Sequence, residues 1–341
     1  MLKKTIFILK RREDFNPKNH YTKSLSTGLY NSASFVNEML VQNGIDSSIE
    51  VAQDNNSIDK ILTDTKANIC ILEALWVVPT KLRELEDLHP NVKFIIRLHS
   101  ETPFIANEGI ATQWINDYLK LDNIILAPNS PRFMEELIGV YGYPKKFIYL
   151  PNYYPVNFEK RNKNNSDEIH ISCFGAIRPL KNHLIQAFSA IIFANKINKK
   201  LRFHINVGRV EGGADPIQKN LLKLFEGLLD SDHRLIMHEW MDHKKFKEVS
   251  SEMDIAMQVS FSETFNIVGA DQLSNGVPVV GSYGEIPWSC ELFNANPVEY
   301  KSIVNKLNVA YKLKKLNVLL NQFTLKRYVK KSKKLWLEYL K

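Results

Sequence analysis

The sequence predicts an α/β chain with two doubly wound parallel sheets, and three observations carry that prediction. Short apolar or β-branched runs alternate with segments of helical periodicity from the N-terminus onward, the pattern of a parallel sheet covered by helices on both faces. The alternation stops once, in a polar stretch at residues 156–168, and then restarts. The chain has 341 residues, more than one hydrophobic core usually serves (about 250–300), so two domains of similar size are expected, with a cleft between them.

In the first half, residues 6–9 are the first expected strand. A polar loop ending near Gly28 follows, and Phe35, Val36, Met39 and Leu40 then recur at helical spacing as far as Asn43-Gly44, a helix stop. Further strands are expected at 48–51, 68–72, 93–98, 124–126 and 147–150, which closes a first domain at 1–155. Residues 159–167 are charged and polar with almost nothing to bury, so 156–168 reads as a linker. Beyond it, strands at 169–174, 201–207, 235–237, 255–259 and 278–281 alternate with helices near 183–195, 217–229, 244–253 and 266–274. These make a second domain at 169–300, followed by helices at 301–341. No internal repeat at a solenoid period is present. The architecture is therefore two Rossmann-like domains facing across a cleft, with a helical tail.

A composition of 44% hydrophobic and 24% charged residues excludes disordered and fibrous chains. The net charge of +8 is uneven, because residues 299–341 hold 12 basic and 2 acidic side chains, a net +10 that leaves −2 for residues 1–298. Such a tail is either a solvated helix face or a surface for phosphate-bearing partners, nucleic acid or anionic lipid. Cys70, Cys173 and Cys290 are odd in number, far apart and set among apolar residues. They offer neither a disulfide framework nor a zinc spacing, which fits a reducing cytoplasm. The apolar run at 5–9 is too short for a signal segment, and no stretch approaches the roughly 18 apolar residues of a membrane span. A soluble or at most peripheral protein is expected.

Several motifs are excluded by spacing. Gly208-Arg209-Val210-Glu211-Gly212-Gly213 fits neither the dinucleotide fingerprint nor the phosphate-binding P-loop. His238 and His243 are five apart, whereas a helical zinc pair needs four. Ala127-Pro128-Asn129-Ser130-Pro131 lacks the glycines of a nucleophile elbow.

The informative segment runs from Ser262-Glu263-Thr264-Phe265-Asn266-Ile267-Val268-Gly269-Ala270-Asp271 to Asn275-Gly276-Val277-Pro278-Val279-Val280-Gly281. It reads as a strand end, an acid, a helix N-terminus whose free N–H groups suit a phosphate, a short helix and a new strand. Glu263 and Asp271 are eight apart, about two helical turns if both are helical, so both would reach one elongated ligand. A capped helix with a solvated acidic pair is the other reading.

This segment resembles the signature of nucleotide-sugar glycosyltransferases of the GT-B fold, in particular the retaining family with a Glu, seven residues and a second Glu before a Gly-x-Pro-Val-Val strand. The resemblance implies that Glu263 contacts the transferred sugar and Asp271, shorter than the family's Glu, the ribose. It places the backbone of Thr264, Phe265, Asn266 and Ile267 beside the diphosphate. Phe174-Gly175-Ala176-Ile177-Arg178-Pro179-Leu180-Lys181-Asn182 is similar to the loop whose cations neutralise the donor diphosphate. Lys181 falls at the family's lysine, while the arginine position is Ala176, with Arg178 as substitute. A loop of solvated charges is the bland alternative. Thr27-Gly28-Leu29 resembles the small-residue loop after the first strand, Arg97-Leu98-His99-Ser100-Glu101 the strand end that carries a histidine near the sugar, and Leu150-Pro151-Asn152 the approach to the linker. A lone histidine is more often structural, and only its place in this ordered series favours His99.

The resemblance implies transfer from a nucleoside diphosphate sugar, usually uridine-linked, to a hydroxyl with retention, and no metal or other cofactor. In the resembled fold the basic tail crosses back to the first domain. That places Lys326, Arg327, Lys330, Lys331 and Lys334 near Lys10, Arg11 and Arg12 on the acceptor side. The whole chain is similar to phage and bacterial glycosyltransferases, so hydroxymethylated pyrimidine in phage DNA, within the host cytoplasm, is the leading acceptor expectation. Cell-surface polysaccharide or glycolipid, with the tail on an anionic membrane, is the alternative enzyme. A catalytically lapsed module that holds nucleic acid is the alternative of another class. Trp76, Trp240 and Trp288 read as packing rather than ligand stacking.

Overall fold

The computed structural model describes residues 3–11, 27–159, 166–228 and 231–340. It divides into two compact units, Met1–Pro155 with Val329–Lys341, and Val156–Tyr328.

The first unit contains β1 (Thr5–Lys10), α1 (Thr27–Gln42), β2 (Ser47–Ala52), α2 (Ser57–Thr65), β3 (Ile69–Glu73) and α3 (Pro79–Leu88). It continues with β4 (Lys93–Leu98), α4 (Thr102–Ile105), α5 (Ala111–Tyr118), β5 (Ile124–Pro128) and α6 (Pro131–Tyr141). The strands form one five-stranded sheet in the order β2-β1-β3-β4-β5, and every described pairing is parallel. Helices cover both faces, so β3 is buried at every position rather than alternating. Helix α6 shows the local logic of the loops. Ser130 caps it by accepting a hydrogen bond from the Phe133 N–H, Pro131 opens its first turn, and Gly142, with φ of 69°, stops it.

Two expectations change here. Gly28 does not sit in a loop but in the first turn of α1, where it is exposed. Residues 147–150 are not a strand: Phe147 makes one isolated bridge to Leu126, and the Ile148 and Leu150 N–H groups donate to the Leu126 and Pro128 carbonyls at 3.0 and 3.2 Å. Pro128 has no N–H to return, so the ladder cannot propagate along that edge.

The second unit contains β6 (Glu168–Cys173), α7 (His183–Lys196), β7 (Lys200–Asn206), α8 (Asp215–Glu226), β8 (Arg234–His238), α9 (His243–Ser251) and β9 (Ile255–Gln258). Then follow α10 (Ile267–Ser274), β10 (Val279–Ser282), β11 (Asn294–Ala295) and α11 (Tyr300–Lys312). Its sheet has six parallel strands in the order β11-β10-β9-β6-β7-β8. Two-residue β11 is too short for any periodicity to reveal. Of residues 156–168, Glu159 donates its N–H to the Ser274 carbonyl at 2.7 Å and Glu168 opens β6. Residues 160–165 lie outside the described residues.

The last helix, α12 (Lys314–Leu340), is continuous over 27 residues. Its final turns belong to the first unit, where Trp336 is fully buried, packs on Phe7 at 5.9 Å and donates its indole N–H to the Pro151 carbonyl at 2.8 Å. Ser332 on the same face donates to the Asn152 carbonyl at 2.8 Å. Among the described residues no helix is long and apolar enough to cross a membrane.

Candidate functional site

In the second unit the chain runs from β6 outward to β7 and β8 on one side, and through β9, β10 and β11 on the other. The order reverses between β6 and β9, and open parallel sheets bind ligands beyond the carboxyl ends of strands at such a reversal. The loops leaving those two ends are 174–182 and 259–266, which contain the residues singled out by sequence.

The first loop is pinned at both ends. Gly175, at φ of 121°, takes a backbone conformation that side chains disfavour, and its N–H donates to Asn206 Oδ1 at 3.0 Å. Asn182, left-handed at φ of 57°, donates from Nδ2 to the carbonyls of Val259 at 3.0 Å and Pro297 at 2.8 Å. Lys181, held just before that anchor, reaches across to the second loop and pairs with Glu263.

Glu263 is a convergence point. Its Oε1 accepts from Lys181 Nζ, from Ser260 Oγ at 3.0 Å and from Asn266 Nδ2 at 3.1 Å, while Oε2 joins none of these bonds. Asn266 is the hub of the turn into α10. At φ of 65° it occupies the left-handed region that asparagine tolerates, donates from Nδ2 also to Gln258 Oε1 at 3.0 Å, and accepts the Gly269 N–H on Oδ1 at 2.7 Å. The N–H groups of Ile267 and Val268 are first-turn donors without an acceptor inside the helix. Gly269 leaves room here, since a Cβ would lie 3.1 Å from Asn266 Oδ1 and 3.3 Å from the Trp288 ring, tight contacts that those neighbours would have to relax. His183, at the start of α7 beside Lys181, is buried with neither ring nitrogen hydrogen-bonded. Burial, reinforced by the Lys181 charge, pushes its pKa down to about 3, so it is neutral.

One expectation is corrected by this geometry, and three further residues are placed by it. Glu263 and Asp271 do not share a helix, because α10 begins at Ile267; Glu263 lies in the loop and Asp271 on the buried helix. Asp271 is 2% exposed and accepts from His243 Nε2 at 2.9 Å. That bond raises the imidazole pKa against the opposing effect of burial. His243, about one-third exposed, is thus the part of this pair that meets solvent. Arg178 pairs with Glu211 at 2.6 Å. Phe265 is core: its ring packs on Trp288 and Tyr328, and its carbonyl accepts the Trp288 indole N–H at 2.6 Å. Thr264, between Glu263 and Phe265, is half-buried.

His99 follows the carboxyl end of β4 in the first unit. Its Nε2 donates to Glu73 and its Nδ1 accepts from Asn129 Nδ2 at 3.3 Å, which fits a neutral ring. Burial lowers its pKa against the pull of the Glu73 carboxylate. Glu73, at the end of β3, also receives Arg97 Nη1 at 3.1 Å. Burial raises the Glu73 pKa, but Arg97 and His99 together outweigh it and hold the carboxyl below its usual range. Arg97 completes its bonding with Asn152 Oδ1 at 2.6 Å and the Pro151 carbonyl at 3.2 Å. Lys10 ends β1 exposed, and Arg11 donates its N–H to the Ala52 carbonyl at 2.8 Å. Arg12 lies outside the described residues. Lys326, Arg327, Lys330, Lys331 and Lys334 are all exposed on α12.

Sequence reasoning missed Asn266 as hub, His243 and Glu73. The only available signal was an asparagine immediately before a helix. His238 and His243 have separate partners, His204 and Asp271. Among the described residues no group of three or more His, Cys, Asp or Glu side chains is placed to hold a metal ion.

No protein-family model matches the chain, and no curated protein matches it. Solved structures do. HepE (Alr3699) of Anabaena, in complex with UDP and glucose, is 13% identical with a TM-score of 0.65 over 99% of both chains. Sucrose-phosphate synthase of Thermosynechococcus elongatus is 13% identical with a TM-score of 0.66, over 99% of this chain and 97% of that one. The catalytic domain of starch synthase IV from Arabidopsis thaliana, bound to ADP and acarbose, is 9% identical with a TM-score of 0.66 over all of both chains. The fold is therefore that of GT-B glycosyltransferases.

Proposed function

We propose that the protein is a glycosyltransferase that moves a sugar from a nucleoside diphosphate donor, uridine-linked, to a hydroxyl acceptor with retention at the anomeric carbon. The observation that carries this reading is the meeting of Lys181 and Glu263 at the strand-order reversal of the second sheet, beside the N-terminus of α10. Three of the solved structures it resembles hold UDP, UDP-glucose or ADP.

Breaking the glycosidic bond leaves charge on the departing diphosphate, and fixed cations and N–H dipoles aimed at that charge lower the barrier. In this reading Lys181 exchanges Glu263 for the diphosphate. The N–H groups of Ile267 and Val268 add the helix-terminus contribution. Glu263, relieved of its cation but still held by Ser260 and Asn266, turns to the sugar hydroxyls. The acceptor hydroxyl bonds to the anomeric carbon on the face that the diphosphate leaves, and its proton passes to a diphosphate oxygen. No metal is assigned to the reaction, since Lys181 supplies the positive charge. His243 in front of Asp271 takes the ribose contact expected of the acid. The buried thiols Cys70 and Cys173 suit a reducing cytoplasm.

Two acceptor readings remain distinct. Hydroxymethylated pyrimidine in duplex DNA is supported by the +10 tail. A glycolipid or surface polysaccharide is favoured by a specific feature, the large apolar side chains exposed within that tail. The deciding experiment measures nucleoside diphosphate release from a panel of nucleotide sugars, alone, with plain duplex and with duplex carrying 5-hydroxymethylcytosine. Release that depends on the hydroxymethyl group establishes DNA as acceptor. Release unaffected by DNA moves the acceptor to the glycan class, and no release from any donor or acceptor overturns the enzyme reading.

A further inference from the structure

The basic tail is not uniformly polar. Along α12, Leu316, Leu319 and Phe323 recur at helical spacing and are 39%, 62% and 57% exposed, with Leu313 just before the helix 43% exposed. Their opposite face is occupied: Asn317 and Asn321 are buried and bond Val279 and Cys290, and Leu325 is buried. The exposed apolar row is therefore the outward surface of a helix already docked on its own unit.

Charge frames the row at both ends. Lys312 and Lys315 stand exposed before it, Lys326 and Arg327 after it, and the Arg327 guanidinium lies over the Phe323 ring at 5.9 Å. Residues 316–325 carry no charge of either sign, and no acidic residue occurs between Glu299 and Glu338. Within this unit, apolar and cationic groups therefore share a strip about 17 Å long from Leu316 to Arg327.

A surface built for a phosphate backbone consists of cations and hydrogen-bond donors. Three large apolar side chains in the middle of it would stay in water and contribute nothing. An anionic bilayer uses both: apolar side chains enter the boundary between headgroups and acyl chains, and flanking lysines and arginines meet the lipid phosphates. We propose that this face of α12 docks the protein on an anionic lipid surface, with Leu316, Leu319 and Phe323 as the inserting groups and Lys312, Lys315, Lys326 and Arg327 as the electrostatic contacts. The inference goes beyond the glycosyltransferase reading and rests on none of the residues at the donor site.

The test is co-sedimentation of the full chain with phosphatidylcholine vesicles, with and without phosphatidylglycerol, against L316S/L319S/F323S and against K315Q/K326Q/R327Q. Wild type should bind the phosphatidylglycerol vesicles and not the neutral ones. The serine variant should lose at least about ten-fold in partition coefficient, and the glutamine variant about five-fold for each cation removed. Circular dichroism should show both variants folded. Absence of binding to phosphatidylglycerol vesicles overturns the proposal, as does equal binding by the serine variant. Duplex DNA that displaces the vesicles and binds wild type and serine variant alike would make the face a nucleic-acid surface and overturn it. A dimer abolished by the serine substitutions, without vesicle binding, would do so too. Nucleoside diphosphate release measured without vesicles should be the same in wild type and serine variant. Its absence in both would count against the enzyme reading and leave the lipid test standing.

Discussion

Each sheet carries an ion pair at the carboxyl side of its strands, within the last strand residues in the first unit and in the loops beyond them in the second, and the two pairs are built differently. In the first unit the side chains of Arg97 and Glu73 are both 0% exposed, and every donor direction of the guanidinium described here ends on a carboxylate, an amide or a carbonyl. In the second, Lys181 and Glu263 are 18% and 11% exposed, and the whole network meets on one carboxylate oxygen. A sealed charge with all its partners fixed can only be lost at a high cost. A charge at the rim, with a lysine on a flexible stem and an uncommitted oxygen opposite, can change partners when a ligand arrives. The contrast separates a structural cluster from a working one, although both contain residues that sequence alone ranks together.

The largest effect should come from breaking the sealed cluster. Arg97→Met leaves Glu73 charged and buried, and removing one member of such a pair costs about 3–5 kcal/mol. Urea unfolding should show that loss, and the double variant E73Q/R97M should recover part of it because no unpaired charge remains. If the single variant is as stable as wild type, the cluster is not what holds Leu150–Asn152 and Trp336 in place.

The rim pair should give the opposite pattern. Lys181→Ala and Glu263→Gln should each lower turnover by about 100- to 1,000-fold, the range seen when one preorganised stabilising group is removed. Their unfolding midpoints should fall less than that of Arg97→Met, because Glu263 keeps its Ser260 and Asn266 partners and some contact with solvent. Full turnover in the lysine variant would remove the central claim for the donor site.

How far these differences were legible in the sequence follows from what each depends on. The strands and the helix at 267–274 follow from periodicity and turn residues, which are local properties. Glu263 and Lys181 were found through ordered motifs, also local. That the two touch depends on β9 lying next to β6, and strand order is a tertiary property that the chain's linear order does not state. The same holds for Glu73 and Arg97, which sit inside apolar runs and look like strand residues. Asp271 shows the converse: the spacing would bring it to the same ligand as Glu263 only if both were helical, and the left-handed Asn266 removes that condition one residue before the helix begins.

His183 gives a pH test within the working unit. Its pKa is depressed to about 3 by burial and by Lys181, against about 6.5 unfolded, so the unfolded chain binds the extra proton between those values. Its contribution to stability is fully present above about pH 6.5 and is lost as pH falls toward about 3. From pH 7 to 5 that loss should be about 2 kcal/mol. His183→Leu should flatten this limb of the stability profile, measured by urea unfolding at each pH, while an unchanged limb would mean that the ring gains a partner on protonation.

The smallest effect should come from the cation that sequence offered as Lys181's companion. Arg178 and Glu211 are 29% and 27% exposed at 2.6 Å, so the pair is more open than the working one, yet its partner is another side chain of the neighbouring loop and not the Glu263 network. Exposure alone therefore cannot mark a functional charge; what matters is whether the partner is itself positioned for a ligand. Arg178→Ala should change stability by about 1 kcal/mol or less, raise the donor KM less than about three-fold, and leave kcat unchanged, since about 0.65 kcal/mol corresponds to that factor. A kcat loss as large as that of Lys181→Ala would show that Arg178 leaves Glu211 for the diphosphate, and the donor site would then be a two-cation site in which openness, more than partner identity, decides which charges work.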